Sequence, residues 1–201
     1  MYETCCLIGP GPHELFPFDR AKAYERSSYI PLRDELRKRI AQLCEIGVET
    51  FLTGGAQGTA QLAFWAIHYV KKEYPYIKNV VCLPFETYGD EWDSDGAFGK
   101  ADRAKIRDMA DKVEILSEGT PNASDVPRLL SERNQYIVEH ADLVLAVSMA
   151  REFLKGSDDT AESLRLAKKQ DRKIRVIHPT NGDVAQFDIL RLTPWERFRT
   201  T

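Results

Sequence analysis

Val48-Glu49-Thr50-Phe51-Leu52-Thr53-Gly54-Gly55-Ala56-Gln57-Gly58-Thr59 is the stretch on which the reading of the fold turns. Its first half, Val48 to Thr53, is short and rich in apolar and β-branched residues, the pattern of a buried strand. Three glycines in five residues follow at once. Beyond them Leu62, Ala63, Ala66, Ile67 and Val70 recur at helical spacing for about four turns. A strand that passes through a glycine loop directly into a helix is half of a βαβ unit, and it predicts a parallel sheet.

The same alternation extends both ways. Upstream, Cys5-Cys6-Leu7-Ile8 is an apolar run stopped by Gly9-Pro10-Gly11-Pro12, a strand ending in a tight loop. Leu32, Leu36, Ile40, Leu43 and Cys44 mark a helix between Ile30 and Gly47, with Pro31 near its start and Gly47 past its end. Downstream come a strand from Asn79 to Pro84, a polar stretch from Glu86 to Gly96, a helix near 98–111 and a strand at Val113-Glu114-Ile115-Leu116. Helix 127–140, strand Leu143 to Val147, a helix near 160–170 and a strand from Ile174 to His178 complete the series. Six rounds of strand and helix predict an α/β fold, a Rossmann-like three-layer sandwich on a mostly parallel, doubly wound sheet. No repeat, low-complexity linker or composition break divides the chain. It reads as a single domain over 1–201, with a core at about 4–180 and a C-terminal tail at 181–201. In the tail Phe187, Ile189 and Leu192 suggest an edge strand or a docking segment.

Composition narrows the function classes. The 201 residues are 43% apolar and 29% charged, ordinary for a folded domain and incompatible with global disorder. Lys and Arg number 28 against 31 Asp and Glu, a net charge of −3. That balance disfavours coating a nucleic acid over a broad face, while leaving room for a local phosphate site. No run approaches the ~18 apolar residues of a membrane span. Met1-Tyr2-Glu3-Thr4 lacks the basic start of a signal peptide, so a cytoplasmic location is expected. Cys5, Cys6, Cys44 and Cys82 form no C-x-x-C pair and lie among apolar residues, as reduced core cysteines do. The four histidines, 13, 68, 140 and 178, show no paired-ligand spacing, so no metal site is expected. Glu91 to Asp102 approaches a calcium-loop spacing. It has Glu at the first position, Asp at the twelfth and no helix before it, which argues against calcium.

In a doubly wound sheet ligands bind beyond the carboxyl ends of the strands, where the strand order reverses. The segments that count therefore follow strands. In the loop at 54–58 glycines allow close backbone approach, and the next helix presents unpaired N–H groups and the positive end of its dipole. Gly54, Gly55, Ala56, Gly58 and Thr59 are thus candidates for phosphate, or else a tight turn without a ligand. On helix 127–140 the apolar stripe runs through Leu130, Ile137, Val138 and Ala141, with Asn134 inside it and Arg133 at its edge. An Arg beside a buried face needs partners, either internal ones or an anion held in its fork. Lys155-Gly156-Ser157-Asp158-Asp159-Thr160 enters the next helix. It offers either plain capping or a second ligand loop, with Gly156 and Ser157 as donors. Asp158 and Asp159 would repel phosphate, so ribose or base suits that side.

Taken in order, Cys5-Cys6-Leu7-Ile8-Gly9, Thr53-Gly54-Gly55-Ala56-Gln57-Gly58, Pro84-Phe85-Glu86 with Trp92, Arg133-Asn134, and Ala141 to Val147 followed by Gly156 resemble the YpsA-like proteins. These are a branch of the SLOG superfamily, related to the DNA-processing protein DprA and to the lonely-guy (lysine-decarboxylase-like) proteins. The resemblance covers roughly residues 4–180. It implies a cytoplasmic, bacterial-type Rossmann-like domain that binds a nucleotide or nucleotide derivative, with Gly9 added to the phosphate-binding residues. Lonely-guy relatives cleave nucleoside monophosphates with an Arg and a Glu, in a loop reading P-G-G-x-G-T-x-x-E. This chain departs there: Gly156 stands alone and Glu162 is out of register. The basic residue usual after Gly9 is missing, with His13 or Arg20 as substitutes.

The expected function is binding or sensing of a nucleotide-derived small molecule such as ADP-ribose or a nucleoside phosphate. Phosphate would sit at the glycine loop and Arg133, with Asn134, Glu86 and Ser157 orienting ribose or base. One alternative is an N-glycoside hydrolase with Glu86 or Glu162 as its carboxylate. Another is single-stranded DNA binding, disfavoured by the charge and by the lack of a basic aromatic stripe. A homodimer fits a domain of this size, though no residue pattern marks the interface.

Overall fold

The computed structural model describes residues 2–93, 96–150, 153–180 and 186–192. In chain order the elements are β1 (Thr4–Ile8), α1 (Pro12–Leu15), α2 (Arg20–Tyr24), a 3-10 turn (Arg26–Tyr29), α3 (Ile30–Glu45), β2 (Thr50–Thr53), α4 (Thr59–Val70), β3 (Lys78–Leu83), α5 (Lys100–Met109), β4 (Lys112–Ile115), α6 (Val126–Glu139), β5 (Leu143–Val147), α7 (Asp159–Lys169), β6 (Lys173–Pro179) and β7 (Phe187–Arg191). The strands form one sheet in the order β4-β3-β2-β1-β5-β6-β7. The first six strands run parallel, and β7 pairs antiparallel with β6 as an edge strand. This is the doubly wound α/β architecture. The order reverses between β1 and β5, which lie side by side in the middle.

Strand alternation sorts the core into two layers. Cys5, Leu7, Phe51, Leu145 and Ile177 face the layer of α3 and α4 with Leu36, Ile40, Ala63 and Ile67. Cys6, Ile8, Leu52, Val144 and Val176 face the layer of α6 and α7 with Ile137, Val138 and Leu164. A smaller cluster joins Phe64 of α4 to Val81, Leu83 and Ile106 of α5. The Asp142 carboxylate accepts from the backbone N–H groups of Glu3 and Thr4 at 2.9 and 3.0 Å, which fastens the start of β1 to β5.

Two elements start two residues later than the sequence reading has them, for a local reason. The second strand starts at Thr50, because Gly47 and Val48 close α3: their N–H groups donate to Cys44 and Leu43 carbonyls at 3.0 Å each, and Gly47 takes φ +96°. This is a Schellman cap. The helix expected near 98–111 starts at Lys100, since Phe98 sits at φ +67° and Gly99 caps in an extended conformation. The segment from Pro12 to Tyr29 carries too short an apolar pattern to announce itself. It forms two short helices and the 3-10 turn, and it drives Tyr29 into the core at 2% exposure.

The four cysteines are free and buried. Asp102, the last position of the calcium-like spacing, accepts from the Phe98 N–H at 3.0 Å and pairs with Arg26 at 2.8 Å. Ser94 and Asp95 of that spacing lie outside the described residues, as do 193–201 of the tail. No helix among the described residues is long and apolar enough to cross a membrane.

Candidate functional site at the strand-order reversal

A cavity of about 340 Å³ opens at the carboxyl ends of the central strands. The end of β1 contributes Ile8, Gly9 and Gly11. The loop after β2 contributes Gly54, Ala56 and Gln57, and the first turn of α4 contributes Ala60. Tyr88 enters from the loop after β3. Leu130, Arg133, Asn134 and Ile137 come from α6, and Asp158, Asp159, Thr160 and Ser163 from the start of α7. Elements far apart in sequence converge here because the reversal leaves a crevice between the loops of β1 and β5.

Arg133 is the central residue. It is 5% exposed and occupies the buried face of α6 with Leu129 and Ile137, spaced i, i+4, i+8. This corrects the sequence reading, which put Asn134 inside the stripe and Arg133 at its edge; Asn134 is half-buried beside it. Arg133 Nη1 donates to the Gly54 carbonyl, and Nε donates to Asn134 Oδ1 at 3.0 Å. Its guanidinium carbon lies 5.8 Å from the centroid of the Tyr88 ring. These partners are all neutral. No Asp or Glu among the described residues forms an ion pair with Arg133. Burial pushes the Tyr88 hydroxyl above its ordinary pKa, and the charge and hydrogen bonding of Arg133 pull it partly back.

The glycines owe their place to close approach within the chain. A Cβ on Gly54 would stand 2.6 Å from Arg133 Nη1. A Cβ on Gly9 would stand 2.6 Å from the Thr59 side chain. Gly58, at φ +81°, packs on the backbone of Pro10 and Gly11. Gly55, at φ +67°, packs on Leu83. Gly9, Gly54 and Ala56 line the cavity, whereas Gly55, Gly58 and Thr59 shape the turn behind it. The Thr59 hydroxyl is already used: it donates to the Pro10 carbonyl at 2.9 Å, as does its N–H at 3.2 Å.

On the α7 side Gly156 and Ser157 stay outside the lining. Gly156 makes room for Asp158, whose carboxylate accepts from the Ala161 N–H at 2.9 Å and caps the helix. The Ser163 hydroxyl donates to the Asp159 carbonyl at 2.8 Å. Both carboxylates considered for hydrolysis sit elsewhere. Glu86 and Glu162 are exposed and outside the lining. Among the described residues the carboxylates that do reach the cavity are Glu14, Asp158 and Asp159. Glu14 accepts from the Gly11 N–H at 2.7 Å. His13 is exposed and within 2.9 Å of the Tyr24 hydroxyl, away from the lining. Trp92 packs edge-on to Tyr88, with centroids 5.2 Å apart. Tyr88 and Glu14 escaped the sequence reading, and Gln57, inside the quoted loop, was not among its ligand candidates. Their one sequence signal was position within a few residues of a strand end.

A family model described as the YspA SLOG family matches residues 6–181. The chain belongs to that family. Similar proteins include the uncharacterized SPbeta prophage-derived protein YoqJ of Bacillus subtilis (strain 168), 31% identical over 145 residues, which are 70% of this chain and 82% of that protein. A UPF0398 protein of Halalkalibacterium halodurans is 27% identical over 187 residues, 90% of this chain and 92% of that one. Among solved structures, DNA processing protein A (DprA) from Streptococcus pneumoniae aligns with a TM-score of 0.58 at 13% identity. That alignment covers 90% of this chain and 53% of DprA, so this member of the YspA SLOG family spans about half the length of DprA. The likeness establishes the shared fold.

Proposed function

We propose that the cavity at the strand-order reversal binds a small nucleotide-derived ligand, with a phosphate at Arg133. One observation carries the reading: an arginine only 5% exposed, lining a cavity and, among the described residues, hydrogen-bonded to neutral acceptors alone. A buried charge without an ion-pair partner costs several kcal/mol, and an incoming anion offsets that cost. The first turn of α4 adds the positive end of a helix at Ala60, behind the loop residues Ala56 and Gln57. The opposite wall, with Asp158 and Asp159, repels phosphate and suits the hydroxyls of a ribose as hydrogen-bond donors. The ligand thus lies with phosphate toward α4 and α6 and sugar toward α7.

The hydrolase reading gains less support, because Glu86 and Glu162 lie outside the cavity. The function proposed is binding or sensing. Titration calorimetry and thermal unfolding with ADP-ribose, NAD and nucleoside monophosphates test it. A ligand at a hundredfold excess over its Kd stabilises by about 2.7 kcal/mol, which raises Tm by about 5–10 °C in a chain of this size. The shift is expected to vanish in Arg133→Ala and to weaken in Arg133→Lys, which keeps the charge but loses the fork. No heat and no shift with any of these ligands would discard the proposal.

A further inference from the structure

A second cavity, of about 310 Å³, lies between the 3-10 turn, α4 and α5, and it shares no lining residue with the first. Its deep surface is Tyr29, Leu62 and Phe98, all under 8% exposed. Trp65 and the 41%-exposed Tyr69 line it from α4. Arg26, Arg33 and Lys105 supply its cations.

The charges around it do not cancel. Among the described residues Asp102 is the one acid of the lining, and it is already satisfied by Arg26 at 2.8 Å and the Phe98 N–H at 3.0 Å. Arg33 pairs with the exposed Asp34 at 2.9 Å. Lys105 forms no ion pair among the described residues. Arg37 and Lys72 each stand 5.1 Å from the centroid of the Tyr69 ring. An aromatic wall under a cationic rim is complementary to a flat ring that carries negative charge.

Backbone strain marks the same place. Phe98 holds φ +67°, a region that costs a bulky residue about 1–3 kcal/mol and that recurs at ligand clamps. It is held there from three sides. Its carbonyl accepts from Gln57 Nε2 at 3.1 Å and Gln61 Nε2 at 3.4 Å, and its N–H donates to Asp102.

We infer that this cavity is a second ligand site, for a small planar aromatic anion. The ring lies against Trp65 and Tyr69, and the anionic group meets Arg33 and Lys105. The inference stands independently of the nucleotide reading. Calorimetry of the full chain with indole-3-acetate, and with indole-3-acetamide as its neutral twin, tests it. Saturable binding of the acid is expected, with the amide about tenfold weaker or worse, as fits the loss of a charge-assisted contact. Lys105→Glu and Arg33→Glu, both at the surface, should weaken the acid by a similar factor, and Trp65→Leu should abolish its binding. Arg133→Ala should bind the acid as the unaltered chain does. The inference falls if the acid gives no heat at millimolar concentration, or if acid and amide bind alike. It also falls if Arg133→Ala loses the acid, which would move the ligand to the first cavity.

Discussion

Gly54 meets two demands at one position. Its carbonyl accepts from Arg133, and its missing side chain leaves room for the guanidinium, whose Nη1 would stand 2.6 Å from a Cβ there. Gly47 makes a useful contrast, since nothing lies within 4 Å of a Cβ built there and only its φ of +96° resists substitution. Gly47→Ala should therefore cost about 1–2 kcal/mol through backbone strain, with ligand affinity unchanged. Gly54→Ala should cost about 1–3 kcal/mol by overpacking and, unlike Gly47→Ala, displace the guanidinium and weaken the ligand at least about tenfold. Denaturant unfolding and calorimetry on the pair check both halves. Undiminished affinity in Gly54→Ala would remove Arg133 as the anchor.

Helix ends decide the polarity of the site. α4 brings its first turn to the cavity without an acid, while α7 brings Asp158 as its cap and Asp159 in its first turn. Asp158 therefore has two separable roles, a cap worth about 1 kcal/mol and a negative charge facing the cavity. Asp158→Ala should lose about that much stability. Asp158→Ser should keep it within a few tenths, because the hydroxyl can still accept from Ala161 N–H. Both should lose discrimination between ADP-ribose and inorganic phosphate if the carboxylate holds the sugar. Equal stability of the two variants in thermal unfolding would show that the cap contributes nothing. The helix α6 shows why the apolar pattern misplaced its inner face. The residue at the centre of that face, between Leu129 and Ile137, is an arginine, which hydrophobic periodicity cannot register.

Across the whole molecule the sheet and α3 keep the thiols out of water. Burial pushes Cys6, Cys44 and Cys82 up to about 12 from 9.0, and Cys5 well above its ordinary value. The folded state holds these protons more tightly than the unfolded state does. The resulting stability is fully present below pH 9 and is lost as pH rises from 9 toward 12. Unfolding free energy should fall over that window, and a variant with Cys6 and Cys82 replaced by Ala should lose less of it. At pH 8 the native chain should react slowly with a thiol-specific disulfide reagent and the denatured chain should yield all four thiols. Rapid labelling of Cys5, Cys6 or Cys82 in the native protein would show that the sheet opens locally, and of Cys44 that α3 does.

The chain by itself determined the alternation of strands and helices, and hence the doubly wound sheet, because period and glycine punctuation are local properties carried by Cys5 to Ile8, Val48 to Thr59 and Leu143 to Val147. It also marked where a ligand site is expected, since the loops after β1, β2 and β5 follow from the topology of any such sheet. Tertiary structure alone decided which of those loop residues face the cavity. Thr59 turned inward to Pro10, Glu86 and Glu162 turned outward, and Tyr88, Gln57 and Glu14 turned in. It alone showed that Arg133 is buried among neutral acceptors, and it alone gathered Tyr29, Trp65, Phe98 and Lys105 into a second cavity. The physical reason is one of range. Secondary structure follows from contacts a few residues apart, whereas the direction of a side chain and the charge around it depend on elements tens of residues away.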